Sequence, residues 1–295
     1  MRHNATQLTV LQPGLRSLVQ DSGRLGWSHL GVGRSGAADR PAMALANRLV
    51  GNEPRAAVVE VTNGGLELRF DAPTWVAVTG APLPVRVGNR ARWTHESVAV
   101  RTGEAVRLGM PQRGLRSYLA VRGGLLVDSV LGSRSTDLMS GLGPAPLGPG
   151  DVLPVGPPQG PVPAADVVAP TMPALPYQEV VLPVQPGPRD DWFEPEALDL
   201  LLGERFEVTG ESDRIGVRLA GPALPRRIKD ELVSEGVVEG SVQVPPGGRL
   251  TLFGPDHPVT GGYPVIAVVP SRALALLAQL RPGQGVRFRR LTCMK

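Results

Sequence analysis

The sequence predicts a mainly β protein made of two related modules, and three observations carry that prediction. Short runs rich in Val, Leu, Ile and Ala recur along the chain, and Gly or Pro clusters bound most of them. Glycine and proline are abundant, at 37 and 31 of 295 residues, while aromatic residues make up 4%. That balance favours turns and short strands over long helices. Lastly, a set of phrases occurs twice in the same order. Gln12-Pro13-Gly14-Leu15-Arg16 precedes Asp21-Ser22-Gly23-Arg24-Leu25-Gly26, and Gln185-Pro186-Gly187-Pro188-Arg189 precedes Glu211-Ser212-Asp213-Arg214-Ile215-Gly216. Each half then closes on a Pro-Gly turn leading into a strand, at Pro149-Gly150 and at Pro282-Gly283. Three matches in one order point to a tandem duplication.

The elements follow from local pattern. Residues 58–61, 66–70, 75–78, 97–100, 117–121 and 265–269 read as strands. Asn63-Gly64-Gly65 between two of them predicts a hairpin, because Asn and Gly tolerate positive φ. A helix is expected over 40–50, with Asp39 as cap, Pro41 in the first turn and Gly51 beyond the end. A second is expected over 195–202, stopped by Gly203. A third is expected over 272–280, capped by Ser271 and stopped by Pro282-Gly283. The stretch from Pro154 to Pro176 is dense in proline and nearly uncharged, which suits a stiff, extended connector. The expected organisation is therefore a β domain over 1–156, a linker over 157–176 and a second β domain over 177–292. Barrels or sandwiches with a few covering helices are the architectures that fit.

Composition narrows the function classes. A 42% hydrophobic and 20% charged chain is ordinary for a globular protein. The net charge of +4 is almost all arginine, since Lys229 and Lys295 are the only lysines. Those arginines are interspersed with acids, so no basic face for nucleic acid is evident. Cys293 is the only cysteine, which excludes an intrachain disulfide and a Cys-rich metal site. The residues after Met1 show no apolar signal core, and no apolar run approaches the ~20 residues of a membrane span. A cytoplasmic protein is expected.

Several catalytic motifs fail on inspection. Gly31-Val32-Gly33-Arg34-Ser35-Gly36 matches a dinucleotide fingerprint, and Glu60 stands at a ribose-contact distance. The fingerprint needs an apolar strand leading into its first glycine, and Arg24 to Leu30 is not one. A glycine turn before a capped helix explains the same residues. No lysine follows a Gly-rich loop, and no Gly-x-Ser-x-Gly elbow appears. His3, His29, His95 and His257 are isolated, so no metal site is expected.

What remains is polar residues set among glycine turns. In the first half these are Gln20, Asp21, Arg24, Ser35 and Asp39, with Asn47 on the following helix. Ser133 and Arg134, in Gly132-Ser133-Arg134-Ser135-Thr136, join them. In the second half they are Asp213, Arg214, Ser234, Gln243 and Tyr263. Each has a plain structural reading beside a functional one. Asp39 caps a helix or meets a ligand; the Gly132–Thr136 loop binds an anion or simply turns; the Asp-Arg pairs tie loops together or grip a substrate.

The same phrases resemble the biotin-dependent carboxyltransferase / allophanate hydrolase subunit 2-like family, whose members include the C subunits of 5-oxoprolinases. The resemblance is carried by Gln20 to Gly26, Ser35-Gly36-Ala37-Ala38-Asp39 and Ala46 to Asn52. It continues in Tyr118 to Gly124, Leu131 to Thr136, Ser212 to Leu219, Gly240 to Pro245 and Thr260-Gly261-Gly262-Tyr263-Pro264. It implies two cyclophilin-like β-barrel domains and an allophanate hydrolase subunit 1-like partner subunit. It also implies an ATP-dependent amide hydrolase that opens 5-oxoproline to glutamate. The alternatives are a carboxyltransferase that moves a carboxyl group from carboxybiotin to urea or a related amide, and a non-catalytic regulatory binding protein. Neither a biotin-carrier segment nor an ATP-binding module is recognisable, so both ATP and biotin chemistry are expected to need other proteins. Under this reading Arg24 and Arg214 hold carboxylate or phosphate oxygens. Asp21, Asp39 and Asp213 orient them or bond the lactam N–H, and Gln20, Ser35 and Gln243 supply neutral hydrogen bonds. The chain departs from the family at Pro258 and Val259, where Gln and Thr are usual.

Overall fold

A computed structural model describes residues 6–163 and 173–291. Residues 164–172 of the expected linker, and Cys293, lie outside the described residues. The chain divides into two compact units. The first comprises residues 1–24, 35–137 and 141–173; the second comprises 25–34, 138–140 and 174–295.

Two facing sheets build the first unit. One runs in the order Val152–Pro154, Gln7–Pro13, Leu66–Phe70, Ala105–Leu108, Val85–Val87, Arg90–Arg92. The other runs Arg16–Gln20, Val58–Thr62, Arg116–Val121, Thr74–Gly80, Ser97–Val100. Alternation explains the pairing. Leu8, Val10, Leu66, Leu68, Phe70 and Val106 from the first sheet meet Val19, Val59, Val61, Val76, Val78 and Leu119 from the second in one core. Strand Arg116–Val121 is buried at all six positions because its second face is covered as well. There Tyr118 and Ala120 pack under helix α1 (Arg40–Leu49), which turns Met43, Ala46 and Leu49 inward at helical spacing. Asp39 caps α1, accepting from the Ala42 N–H at 3.0 Å, and Pro41 sits in the first turn.

In the second unit, seven described strands close into a barrel. Their order is Val180–Pro186, Val265–Val268, Ser241–Gln243, Leu250–Phe253, Gly216–Ala220, Phe206–Val208 and Gly285–Arg290. Closure is parallel: Gly285–Arg290 runs beside Val180–Pro186. Phe206 and Phe288 meet edge to face inside, with centroids 5.6 Å apart. Helix α2 (Pro195–Gly203) buries Ala197 and Leu201 against the closing strand. Outside the barrel, Glu235–Gly236 and Thr260–Gly261 form a two-stranded ribbon. Among the described residues no helix is long and apolar enough to cross a membrane.

The mainly β class with few helices is as expected, but two local readings differ. Asn63-Gly64-Gly65 is not a hairpin: Val58–Thr62 and Leu66–Phe70 belong to different sheets. All three residues do take positive φ (59°, 72°, 82°), yet the turn carries the chain from one sheet to the other. Glycine is required there because a Cβ on Gly64 would stand 1.9 Å from the Gly109 carbonyl oxygen. The third helix is shorter than expected. Ser271–Ala273 forms a 3₁₀ turn before α3 (Leu274–Ala278), and no side-chain cap bonds either start.

One repeated phrase is the same device twice. In Gly148-Pro149-Gly150-Asp151 the Asp151 N–H donates to the Gly148 carbonyl at 3.3 Å, and its side chain accepts from the Gly148 N–H at 2.7 Å. In Arg281-Pro282-Gly283-Gln284 the corresponding bonds are 3.1 and 3.2 Å. Gly150 and Gly283 take φ of 89° and 83°, as a Pro-Gly turn of this kind requires.

Candidate functional site

Each unit holds one wholly buried arginine among its loops. Arg24 and Arg214 are both 1% exposed and lead the fully buried side chains in size. A guanidinium is rarely buried without partners.

Around Arg24, three loops of the first unit converge. Asp21 lies at the centre, and all of its bonds come from hydroxyls and backbone N–H groups. Its Oδ1 accepts from Ser133 Oγ and Ser135 Oγ, both at 2.6 Å, and from the Gly23 N–H at 2.8 Å. Its Oδ2 accepts from the Arg134 N–H at 2.6 Å. Three of these four donors bind the Gln20–Arg24 segment to the Ser133–Ser135 loop, and the fourth closes the segment on itself. Arg24 Nη2 donates to the Ser135 carbonyl. Ser35 takes φ 53°, and its Oγ donates to the Thr136 carbonyl at 3.2 Å. Gln20 Nε2 donates to the same carbonyl at 2.8 Å. Glycines let these backbones touch: a Cβ on Gly143 would meet the Ser135 oxygen at 2.0 Å, and one on Gly36 the Gly23 nitrogen at 2.7 Å. Arg134 also spans to the Val127 carbonyl through Nε.

Beneath this cluster lies a second buried network. Glu60 is 1% exposed; its Oε2 accepts from Tyr118 Oη at 2.9 Å and from the Ala38 N–H at 3.0 Å. Tyr118 Oη in turn accepts from the Asp39 N–H at 2.8 Å. Arg116 Nε stands 3.6 Å from Glu60 Oε1. Burial, with the Glu60 charge beside it, pushes the Tyr118 hydroxyl well above its ordinary pKa. Glu60 is thus an anchor for the segment after Ser35, and its strand is paired antiparallel on both sides, not in the parallel βαβ unit that a ribose contact needs. Asn47 is likewise inward: its Nδ2 donates to the Ala56 carbonyl at 2.8 Å.

In the second unit Arg214 makes a two-pronged pair with Asp256, at 2.8 Å (Nε–Oδ2) and 2.9 Å (Nη2–Oδ1). The partner is 42 residues away, not the adjacent Asp213. Asp213 Oδ1 instead accepts from the Ile215 and Gly216 N–H groups, closing a turn. The Arg214 fork is therefore filled by the protein's own carboxylate, and the pair is 1% and 0% exposed.

The accessible polar groups of this unit gather at the ribbon. Ser234 is exposed and Tyr263 is 45% exposed. Gln243 Nε2 donates to the Tyr263 carbonyl at 3.1 Å. Gly261 packs against it: a Cβ there would stand 2.6 Å from Gln243 Nε2 and displace the end of that side chain. Arg189 pairs with Glu235 on the ribbon at 2.7 Å, which raises the Arg189 pKa. His257 stacks on Phe253, with its Nδ1 2.6 Å from the Pro258 carbonyl.

The structure thus brings Gln20, Asp21, Arg24, Ser35, Ser133 and Arg134 together, and separately Ser234, Gln243 and Tyr263. Asp39 and Asn47 serve α1, and Asp213 serves its own turn. Sequence reasoning passed over Ser135 and Thr136 as bond-makers, Tyr118 beside Glu60, and the Arg189–Glu235 pair. The presence of Ser135 and Thr136 in one phrase with Ser133 was the available signal.

The protein is thus built of two β units, each with a buried arginine tied into its loops. The chain belongs to the family described as carboxyltransferase domain, subdomain A and B, whose model matches residues 30–290. It is 36% identical to the C subunit of 5-oxoprolinase from Escherichia coli over 288 residues, covering 95% of this chain and 90% of that protein. It is 32% identical to urea amidolyase of Lachancea kluyveri, covering 95% of this chain but 16% of that protein. Among solved structures, the crystal structure of TTHA0988 matches with TM-score 0.87 and 37% identity, over 97% of this chain and 56% of that one. The K. lactis urea amidolyase matches with TM-score 0.89 and 29% identity, over 99% of this chain and 19% of that one.

Proposed function

We propose that the chain is a subunit of an ATP-dependent 5-oxoprolinase, which opens the lactam of 5-oxoproline to glutamate together with an allophanate hydrolase subunit 1-like partner in the cytoplasm. The observation that carries this reading is the near full-length match, in both directions, to the 5-oxoprolinase C subunit of E. coli. The Haemophilus influenzae protein of the same name, 30% identical over 90% of its length, supports it. ATP is used by the assembled enzyme, and no nucleotide contact is assigned to this chain.

The geometry reshapes the residue roles. Arg24 and Arg214 hold the protein's own oxygens and fix the loops around them. Polar contacts to substrate fall to neutral groups, of which Ser234 and Tyr263 are the exposed ones. Neutral donors and acceptors suit the lactam amide of 5-oxoproline, while its carboxylate calls for a cation that these groups do not supply. The experiment is co-expression with the partner subunits and measurement of ATP hydrolysis stimulated by 5-oxoproline, with glutamate as product. An intact complex whose ATP hydrolysis ignores 5-oxoproline refutes the reading.

The urea amidolyase matches favour a second reading, carboxyl transfer from carboxybiotin to urea or a related amide. It predicts carboxylated product when a biotin carboxylase and a biotin carrier are supplied.

A further inference from the structure

The ribbon beside Ser234 and Tyr263 is too short to hold itself. Its strands, Glu235–Gly236 and Thr260–Gly261, are two residues each, and the pair lies outside the barrel. Two-stranded pairing alone is marginal in water even when longer. Ser234 and Tyr263 stand at the same end of it, since a Cβ built on Gly262 would lie 4.0 Å from Ser234 Oγ. Three ties fix the ribbon to the unit. Val237 packs with Phe253 and Val265 at the far end. Gln243 Nε2 donates to the Tyr263 carbonyl at 3.1 Å. On the Ser234 side the tie is Arg189, whose Nε and Nη2 reach Glu235 Oε2 at 2.9 and 2.7 Å.

Arg189 is itself fixed to the barrel. Its N–H donates to the Val265 carbonyl at 3.2 Å, and the Gly187 N–H donates to the Ile266 carbonyl at 2.8 Å. A Cβ on Gly187 would stand 2.2 Å from the Val265 oxygen, so this segment lies directly on strand Val265–Val268. That strand begins two residues after Tyr263, and Glu235 is the neighbour of Ser234. One residue therefore joins the two sides: its backbone holds the strand that continues from Tyr263, and its side chain holds the residue next to Ser234. We propose that Arg189 is a positioning residue, which sets the ribbon where Ser234 and Tyr263 meet substrate. The substrate's identity as 5-oxoproline rests on the 5-oxoprolinase reading; the tie itself rests on the bonds to Glu235 and Val265. Both side chains of the pair reach water, at 38% and 21% exposed. Its strength is therefore that of a surface pair, enough to bias a short ribbon and too little to govern the barrel.

The test compares Arg189→Met, Glu235→Gln and the double variant, each as the full chain in complex with its partner subunit. Each single change is expected to raise the KM for 5-oxoproline up to about 5-fold with kcat little changed, because the binding-competent ribbon becomes a fraction of the population. Both changes break the same pair, so the double variant is expected to do no more than either alone. Arg189→Lys keeps the charge and is expected to recover most of the affinity. All of these variants are expected to melt within about 4 °C of wild type. Hydrogen exchange reads the ribbon without substrate. The Val237 N–H, which donates to the Val259 carbonyl at 3.0 Å, is expected to exchange faster in Arg189→Met. The Val208 N–H of the barrel, bonded to the Gln284 carbonyl at 3.0 Å, is expected to keep its rate. Unchanged Val237 exchange overturns the proposal, because the ribbon is then held without Arg189. So does an unchanged KM despite faster exchange, and so do effects that simply add in the double variant. A KM raised by Arg189→Met but not by Glu235→Gln also overturns it, since Arg189 then meets the substrate carboxylate itself. A wild-type complex whose ATP hydrolysis ignores 5-oxoproline refutes the 5-oxoprolinase reading instead, and Val237 exchange then decides the tie alone.

Discussion

Removing Asp256 tests whether the buried arginines build the protein or grip a ligand. Asp256 is the two-pronged partner of Arg214, at 2.8 and 2.9 Å, and both side chains are out of water, at 0% and 1% exposed. Its Oδ2 also accepts from the Leu138 N–H at 3.2 Å, within the same unit. Asp256→Ala strands a guanidinium in a dry interior and leaves that N–H short of a partner. Breaking a buried pair from one side costs about 3–5 kcal/mol, a large share of the ~5–15 kcal/mol that holds a domain. At ~4 °C per kcal/mol, the value between those for smaller and larger domains, the second unit is expected to melt about 12–20 °C lower. Differential scanning calorimetry reads this directly, with urea denaturation as a check. Arg214→Met combined with Asp256→Leu removes both charges at similar volume, and most of the loss is expected to return. A fall below about 1 kcal/mol for Asp256→Ala is the magnitude of a surface pair and refutes the structural assignment. So does a variant that folds normally yet loses only ligand binding.

Three further outcomes follow from the geometry. Burial holds the His95 imidazole below its usual pKa of 6.5, so the unfolded chain takes up a proton before the folded one does. The His95 contribution is full above pH 6.5 and is lost as pH falls through the lower folded value; His95→Asn, which tolerates the local φ of 69°, is expected to flatten that part of the stability–pH curve. Gly64→Ala places a methyl 1.9 Å from the Gly109 oxygen at φ 72°, and a loss of more than about 1 kcal/mol is expected by chemical denaturation. The Tyr118 hydroxyl, raised by burial and by Glu60, ionises in the unfolded chain first, so stability falls as pH rises above about 10. In Tyr118→Phe that fall is expected to shrink, and the late step in tyrosinate absorbance to vanish.

The parts legible in the sequence were those written in local pattern. Strands such as Leu66–Phe70 and Ser97–Val100 announce themselves by alternation, and α1 by Asp39, Pro41 and Gly51 around an apolar stripe. The Pro-Gly turns were legible for the same reason, and both carry the same pair of bonds. Pairing over distance was not. Asn63-Gly64-Gly65 states that three residues take positive φ, but nothing in those residues says which strands lie on either side. Arg214 stands beside Asp213 in sequence and binds Asp256, because a turn's own N–H groups occupy the nearer carboxylate. Glu60 sat at a plausible ribose distance, yet the sheet topology turns it under Ala38 and Tyr118. The candidate site was legible as a roll of residues; the bonding that sorts scaffold from contact was not.

That sorting changes what the repeated phrase encodes. In both copies the arginine is wholly buried, and in neither does the acid that opens the phrase pair with it. Asp21 accepts four donors from its own segment and the Ser133–Ser135 loop, whereas Glu211 is exposed and stands 3.7 Å from Arg249. Arg24 reaches a backbone carbonyl and Arg214 a distant carboxylate. A residue selected to hold substrate is expected to keep its open fork wherever the phrase is copied. A residue selected to knot loops needs only some buried oxygen to hold, and the two copies have found different ones. The phrase is therefore best understood as a loop-knotting device that ties different oxygens in its two copies, the Ser135 carbonyl for Arg24 and the Asp256 carboxylate for Arg214.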